Sequence, residues 1–390
     1  MGFSSIDDMV SEMTAGKTWR QDWNKTSGGS AYVAGNWYDL SQFNGIPVAN
    51  TFAGTTLVAQ TPTDKNGGAA LGTSWGMFHG ADVSSDTKHL INAGAYSTVA
   101  TAVPGIFMLV DVVMYYPAVA NNSTSAQTLI NSNTFTASSS SGLLLTYTND
   151  FGTANQYTSV KFSNSGGALP VGLNNTDVFY LVRQSATTAK VATSEANAIA
   201  GSFVAYTDAG SGTNTLTVTP NRYANGAGLR VYTVATATVT NSATPVLDAS
   251  GFQYTNQAGS TGRVAGAVVN YTVGGTSIPP QGKIFHSGVA SANYGPFIPL
   301  QAGDTGIRAV TAYKLSTAYG SAQAGAVVLC KPLMTLPIVT AGVAGERNMV
   351  MQLPSMPRVY DGACLNLLFF PGAATAANTP LMGYFDFAWG

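Results

Sequence analysis

The sequence predicts an all-β protein, and three observations support this fold class. Stretches such as 106–116 and 229–239 are apolar or alternating, with the β-branched content and length of strands. Glycine-rich turns separate these stretches, and the chain contains 43 glycines and 17 prolines. Helical patterns are few. Many short strands with regular turn signals are typical of a β-sandwich or a jelly roll.

Two short helices are nevertheless expected near the start of the chain. Ser5 can cap a helix that has acidic residues in its first turn and ends at Gly16. Its apolar residues fall on one face, and they are Ile6, Met9, Val10 and Met13. A second short helix is predicted from Ser85 to about Ala93.

The remaining patterns predict strands. The expected strands are 106–116, 143–148, 178–183, 203–207, 215–219, 229–239, 264–273, 307–315, 326–330, 363–370 and 384–390. Both faces of 178–182 are apolar, which indicates a central strand. Pro170 and Gly172 predict a turn before it, because glycine permits a positive φ.

A shift in composition predicts the domain organisation. Between residues 121 and 219 the chain becomes rich in Ser, Thr and Asn. We therefore expect a small inserted β domain at 121–220. The sandwich or jelly-roll main domain then comprises 31–120 together with 221–390, and residues 1–30 form a helix and an arm.

The low charge is the most unusual property of the chain. Charged residues make up 9% of it, and the net charge is −1, whereas an ordinary domain has about 25% charged residues. A net charge near zero promotes association, and permanent interfaces are poor in Lys, Glu and Asp. Assembly with other subunits is the favoured interpretation, and a neutral secreted β protein is the alternative.

Other partner classes have little support in the sequence. No Lys/Arg cluster suits nucleic acid, since Lys17, Arg20 and Lys25 are offset by Asp22. The most apolar window, 103–120, is interrupted by charge and proline, so we expect no membrane span.

The two cysteines are expected to be buried free thiols. Cys330 and Cys364 both lie in apolar, strand-like runs. A disulfide between them stays open, because the sequence does not supply their separation. No Cys/His spacing matches a zinc site, so no metal is expected.

One group of residues could in principle carry chemistry. His79, Asp82, Asp86 and His89 could form a metal site or an acid/base pair. The alternative is that they are loop and helix-cap residues, and that is the preferred interpretation.

Enzyme motifs are otherwise missing from the sequence. There is no nucleophile elbow or phosphate loop, so neither an enzyme nor a cofactor is predicted, and a small-molecule ligand is not expected. Paired carboxylates for polysaccharide cleavage stay open, with Asp111, Asp361 and Asp386 in apolar runs.

Aromatic residues near both ends of the chain are the candidate interaction residues. Trp19 and Trp23 are four apart, which would place them on one side of a helical turn, and Trp37 follows. Phe385 and Trp389 belong to an apolar, alternating segment expected to pair in a sheet. These side chains could dock on the chain's own core or on a neighbouring subunit.

Part of the expected insert resembles a module of tailed-phage virion proteins. The residues that carry the resemblance are 168–173, 177–182, 189–194 and 207–216, with a Leu-Pro-x-Gly-Leu turn, a tyrosine-containing strand and a Gly-x-Gly-Thr ending. This chain has Asn175-Thr176-Asp177 where the module usually has Gly-Thr. The resemblance implies a small immunoglobulin-like β unit and a virion setting.

A shorter segment points to the same setting. Residues 297–310 are similar to a turn and strand of phage head-associated β proteins. The physical interpretation is a Gly-Asp-Thr-Gly turn leading into a strand, with Arg308 opposite to Ile307.

These observations predict a virion structural protein. The preferred role is a cement or decoration subunit of a phage head, made in the bacterial cytoplasm, with capsid protein and copies of itself as partners, as a homotrimer. The alternatives are a tail-fibre or receptor-binding protein that recognises glycans, a major capsid protein and a polysaccharide-cleaving enzyme.

Overall fold

The computed structural model describes most of the chain. The described residues are 2–26, 32–49, 52, 54, 56–62, 76–83, 85–138, 143–151, 157–237, 246–248, 250–265, 268–269, 281–285, 295–319, 324–351 and 356–390. Most of the expected strand at 264–273 and residues 27–30 of the expected arm lie outside this set.

Strands dominate the described residues, which confirms the all-β class. The first strands are β1 (Thr18–Thr26), β2 (Tyr38–Asp39), β3 (Gly45–Ile46), β4 (Lys88–Tyr96), β5 (Gly105–Ala120) and β6 (Gln127–Thr128). Then follow β7 (Ser132–Ser138), β8 (Leu144–Tyr147), β9 (Tyr157–Ser165), β10 (Phe179–Ser185), β11 (Thr188–Ala192) and β12 (Thr213–Val218). The next are β13 (Arg230–Ala235), β14 (Val246–Leu247), β15 (Gln253–Asn256), β16 (Arg263–Val264), β17 (Val268–Val269) and β18 (Ile307–Tyr313). The last are β19 (Leu315–Thr317), β20 (Ala324–Ile338), β21 (Gly345–Asn348), β22 (Arg358–Val359), β23 (Leu365–Pro371) and β24 (Pro380–Trp389).

Two short α-helices occur in the described part of the chain, α1 (Ile6–Thr14) and α2 (Glu195–Ala200). The expected capping of α1 is confirmed, because the Ser5 side chain accepts a hydrogen bond from the Asp8 backbone amide. Gly16 follows the helix with a φ of +87°. Neither described helix is long and apolar enough to cross a membrane.

A six-stranded antiparallel sheet contains the tryptophans of the expected arm. Its order is β21-β4-β24-β1-β3, and β22 also pairs with β4. Trp19 lies opposite Phe387 and Trp23 opposite Gly383. The expected helical turn at Trp19 and Trp23 is therefore wrong. A spacing of four residues puts two side chains on one side of a strand as well as of a helix, and pairing with β24 selects the strand.

The second expected helix, 85–93, is also wrong. Its residues from Lys88 onward form β4, which pairs along its length with β24. The apolar residues Leu90 and Ile91 fit either structure in isolation. The partner strand lies almost 300 residues further along the chain, so a local pattern does not reveal it.

A five-stranded sheet packs against the six-stranded sheet and forms a sandwich with it. Its order is β13-β20-β5-β23-β2. Trp23 of the first sheet contacts Phe107 of the second, with ring centroids 5.2 Å apart. The far face of the five-stranded sheet is buried as well, by residues that include Trp37 and Ile284. Two smaller sheets adjoin the sandwich, in the orders β17-β14-β19 and β16-β15-β18-β6.

Strand β5 lies at the centre of the five-stranded sheet. It pairs with β20 on one side and with β23 on the other. Its side chains contribute to three apolar clusters, for example Phe107 to the sandwich core, Val112 to the far face of the five-stranded sheet and Tyr116 to the core nearest the barrel.

The strands of the expected insert close into a six-stranded barrel, in the order β10-β11-β8-β7-β12-β9. Closure depends on β9, because Val160 pairs with Phe179 of β10 and with Val218 of β12. An Ig-like unit keeps two open sheets, whereas each strand here has two partners and no edge is left. The expected strand at 203–207 is a loop. Gly172 has the expected positive φ, +104°.

The barrel strands lie within the segment 121–220 that composition marks as an insert. Their apolar interior continues without interruption into residues outside that segment, such as Leu229 and Tyr254. The division of the chain into domains therefore stays a prediction.

Both cysteines are buried free thiols, as expected. Val112 of β5 lies between them, since it pairs with Cys330 and its amide donates to the Cys364 carbonyl. Burial raises the pKa of the Cys330 thiol well above its ordinary value.

Candidate interaction surfaces and a charged cleft

Two of the five candidate interaction residues are buried in the sandwich core. Trp23 and Phe385 are 2% and 1% exposed, and their rings stack with centroids 6.2 Å apart. Trp23 also meets the edge of Phe107. Trp23 and Phe385 therefore dock on the chain's own core, which is one of the two alternatives expected from the sequence.

Trp19 and Trp389 lie together at the end of the six-stranded sheet, against Gly80. A Cβ on Gly80 would be 3.4 Å from the Trp19 Cβ and 3.5 Å from the Trp389 Cζ3. Trp19 meets Phe78 edge to face at 4.9 Å and is 37% exposed. We call Trp19, Phe78 and Trp389 the aromatic cluster. Trp19 and Trp389 are the two predicted interaction residues that are not buried.

Trp37 lies elsewhere, on the far face of the five-stranded sheet. It is 7% exposed and packs against Phe370, with ring centroids 5.3 Å apart. The structure thus brings the predicted residues together in two pairs and leaves Trp37 apart. Their role in assembly stays a prediction.

The His/Asp group is separated by the fold. His79 is buried, its Nε2 donates to the Ala363 carbonyl, and burial lowers its pKa to about 3. His89 packs beside Phe3, and Asp86 accepts from Lys17. No group of three possible metal ligands occurs within the described ranges. The preferred interpretation, structural residues, fits this arrangement.

Lys88 is fully buried and holds the loop 79–82 in place. Its Nζ lies 2.9 Å from the Ala81 carbonyl, 3.1 Å from His79 Nδ1 and 3.4 Å from Asp361 Oδ1. Burial lowers its pKa, and Asp361 opposes that effect. The acceptors around the ammonium group explain how a lysine is accommodated there.

The outer face of the six-stranded sheet is polar and tightly ordered. The Arg20 guanidinium lies 3.7 Å above the Tyr384 ring, and the Tyr384 hydroxyl donates to Glu346. Tyr384 lies flat over Gly94, where any Cβ would be 2.3 Å from the ring. A groove of about 390 Å³ runs beside these residues. Such a face can meet a partner through its side chains without rearrangement of the backbone.

A cleft lined by several charged residues lies where the barrel meets the sandwich. Its larger part, of about 400 Å³, lies between Lys161 of the barrel, Arg308 of β18 and the segment 219–226. An adjoining part of about 260 Å³ includes Lys88, Glu195 and Arg358 among its lining residues. Asn221, Arg222 and Tyr360 line both parts.

A buried ion pair forms the floor of this cleft. Arg222 binds Asp111 through two hydrogen bonds of 2.7 and 2.6 Å, and the side chains are 4% and 0% exposed. Asp111 also accepts from the Tyr223 hydroxyl and from the Cys364 amide. The pair attaches the segment that follows the last barrel strand to the central strand β5.

Sequence reasoning did not identify this cleft. Its residues come from seven separate parts of the chain, and no motif links them. One signal was present, because Asp111 interrupts the most apolar window and requires a buried cation.

Comparison with known proteins gives no family for this chain. No family model matches it, and no curated protein matches it. Among solved structures, the VP2 subviral particle of infectious bursal disease virus is 7% identical, with 95% of this chain and 80% of that chain covered and a TM-score of 0.15. The structures of the Gx and Gt strains of that virus are each 10% identical, and each covers 78% of this chain and 81% of its own chain with a TM-score of 0.11. Scores this low do not indicate a common fold.

Proposed function

We propose that this chain is a virion structural protein that acts as a cement or decoration subunit on the head of a tailed phage. Its partners would be the capsid protein and two further copies of itself. The proposal includes no catalytic step, cofactor, nucleic acid or membrane.

The scarcity of charge is the observation that carries the proposal. The chain has 17 basic and 18 acidic residues among 390. Several apolar side chains are exposed in addition, including Val10, Val339, Val343 and Met351. Water solvates such a surface poorly, and burial against neighbouring subunits removes it from water.

The arrangement of the sheets supports a mechanical role within a particle. Two sheets share one core, and the barrel is joined to the five-stranded sheet by a second apolar cluster and by the Asp111–Arg222 pair. The resemblance of residues 168–216 to a phage virion module is a second, independent support for the setting.

Quantitative mass spectrometry of purified particles tests the proposal. A cement subunit is expected at a copy number comparable with that of the major capsid protein. A few copies per particle would favour a tail component, and absence from particles would contradict the proposal. If the chain is itself the most abundant shell protein, it is the major capsid protein.

The oligomeric state has a separate test. Native mass spectrometry of the purified chain should give a mass three times 40.2 kDa. A monomer at micromolar concentration would contradict the trimer while leaving the virion assignment open to the particle experiment.

A further inference from the structure

We propose that the cleft between the barrel and the sandwich binds a small oxyanion, a carboxylate or a phosphate carried on a ligand of about monosaccharide size. This inference concerns a ligand site and goes beyond the proposed role in assembly.

The lining of the larger part of the cleft is cationic and polar. Lys161, Arg222 and Arg308 contribute to it, and none of its described lining residues is Asp or Glu. Arg222 is neutralised by Asp111 beneath it, whereas Lys161 and Arg308 have no carboxylate within ion-pair distance among the described residues. Two cations therefore face a part of the cleft that supplies them with no carboxylate, whereas Asp86, Glu195 and Asp361 line the adjoining part.

Carboxylates neutralise some, but not all, of the described cations. Seven described cations form ion pairs with carboxylates, and they are Lys17, Arg20, Lys88, Arg183, Arg222, Arg263 and Lys314. Near the cleft, in contrast, Lys331 lies 5.7 Å from the Tyr223 ring, and Arg358 lies over Tyr360. These two also lack a described carboxylate partner. Their positive potential adds to that of Lys161 and Arg308.

The floor of the cleft offers a further donor. Arg222 has five N–H groups. Two bind Asp111, one the Val112 carbonyl and one Asn221, so one hydrogen on Nη1 is left. The Arg222 side chain is only 4% exposed, so its position is fixed by the fold. A fixed, incompletely used guanidinium is well suited to bind an oxygen anion.

The size and chemistry of the cleft restrict the ligand. A volume of about 400 Å³ accommodates a monosaccharide-sized molecule. The absence of carboxylates from the described lining disfavours a metal ion. Asn221 and Asn225 can bind hydroxyl groups, and the Tyr360 ring can pack against an apolar face of the ligand.

Isothermal titration calorimetry on the full chain tests the inference, with inorganic phosphate, glucuronate and glucose as probes. We expect saturable binding of phosphate, of glucuronate or of both, and none of uncharged glucose at the same concentrations. Tighter binding of glucuronate would identify a sugar acid as the ligand class, and equal binding would identify a bare oxyanion site. Binding should weaken as sodium chloride is raised, because the cations are accessible to solvent.

Variants connect the binding to the cleft. Lys161→Gln combined with Arg308→Gln should weaken binding at least tenfold. Arg308 donates to the Gln257 carbonyl and lacks a described carboxylate partner. Arg347→Gln is the control, since Arg347 donates to the Thr335 carbonyl and likewise lacks such a partner, but lies on β21. All three side chains are at least partly exposed, so the variants should fold, and circular dichroism would verify it. The inference is overturned if neither anion binds at 20 mM, if glucose binds equally, or if the control loses as much affinity as the double variant.

Discussion

The buried pair Asp111–Arg222 permits a quantitative prediction. Asp111→Asn keeps the shape of the side chain but removes its charge, which leaves a guanidinium that is 4% exposed without a counter-charge. Arg222→Met removes the cation and leaves a fully buried carboxylate with two hydrogen-bond donors, the Tyr223 hydroxyl and the Cys364 amide.

The expected magnitude follows from this burial. Loss of one partner of a buried ion pair costs about 3–5 kcal/mol of the free energy of unfolding, because the other charge stays in the interior unpaired. The double variant removes both charges. Its cost should fall below the sum of the single costs by about 2 kcal/mol or more.

Denaturant unfolding followed by tryptophan fluorescence would measure these free energies. The barrel supplies a matched control, since Arg183 and Asp150 make the same two-bond contact at 2.5 and 2.6 Å with side chains 18% and 27% exposed. Asp150→Asn should cost only about 0.2–1 kcal/mol, because solvent screens this pair. Single costs at Asp111 and Arg222 below about 1 kcal/mol, or costs that simply add, would refute the reasoning.

Three further predictions concern single sites. Burial lowers the pKa of His79 to about 3, so the unfolded chain takes up a proton below its ordinary pKa of 6.5 that the native state excludes. The contribution of neutral His79 to stability is therefore complete above pH 6.5 and is lost as the pH drops toward 3. Between pH 7 and 5, the free energy of unfolding should fall by about 2 kcal/mol less in His79→Gln than in the unsubstituted chain. An equal fall in both would exclude His79 as the cause. Cys330 and Cys364 should resist a thiol reagent in the native protein and react in denaturant, and rapid native labelling would contradict their burial. Trp23→Ala should cost about 3–5 kcal/mol of the free energy of unfolding, whereas Trp19→Ala should cost much less. Trp19→Ala should instead weaken association between subunits, which native mass spectrometry would measure. Unchanged association would show that Trp19 is not part of the interface.

Local signals in the sequence were sufficient for part of the fold. Helix α1 is predictable because its N-cap residue, Ser5, and the residue that donates to it, Asp8, are only three positions apart. Strand β5 was predicted because its composition is apolar over many residues, and a long buried strand needs no further information. The turn at Gly172 is also predicted from a local property, because glycine permits a positive φ.

Long-range pairing decided the rest. The segment from Lys88 became a strand because β24 lies beside it, and β24 is almost 300 residues away. Trp19 and Trp23 were consistent with either a helix or a strand by spacing alone. The buried residues Gln21 and Lys25, which share their side of β1, look like exposed positions in the sequence.

The cleft is still less predictable from the sequence, because it depends on how the barrel packs against the sandwich. The Asp111–Arg222 pair is the part of the cleft that the sequence could have indicated. Only 17 cations exist, and Arg222 lies two residues after the end of the expected insert, so it could have been proposed as the partner of an Asp in an apolar strand.

The pairing of β5 has a mechanical consequence. Backbone hydrogen bonds of an antiparallel pair run perpendicular to the strands, and β5 is held in this way by β20 and by β23 along opposite edges. Tension applied along β5 loads these bonds in shear, so many of them must break together before the strand slides. A shell subunit built around such a strand would resist stretching along one axis far better than peeling across it.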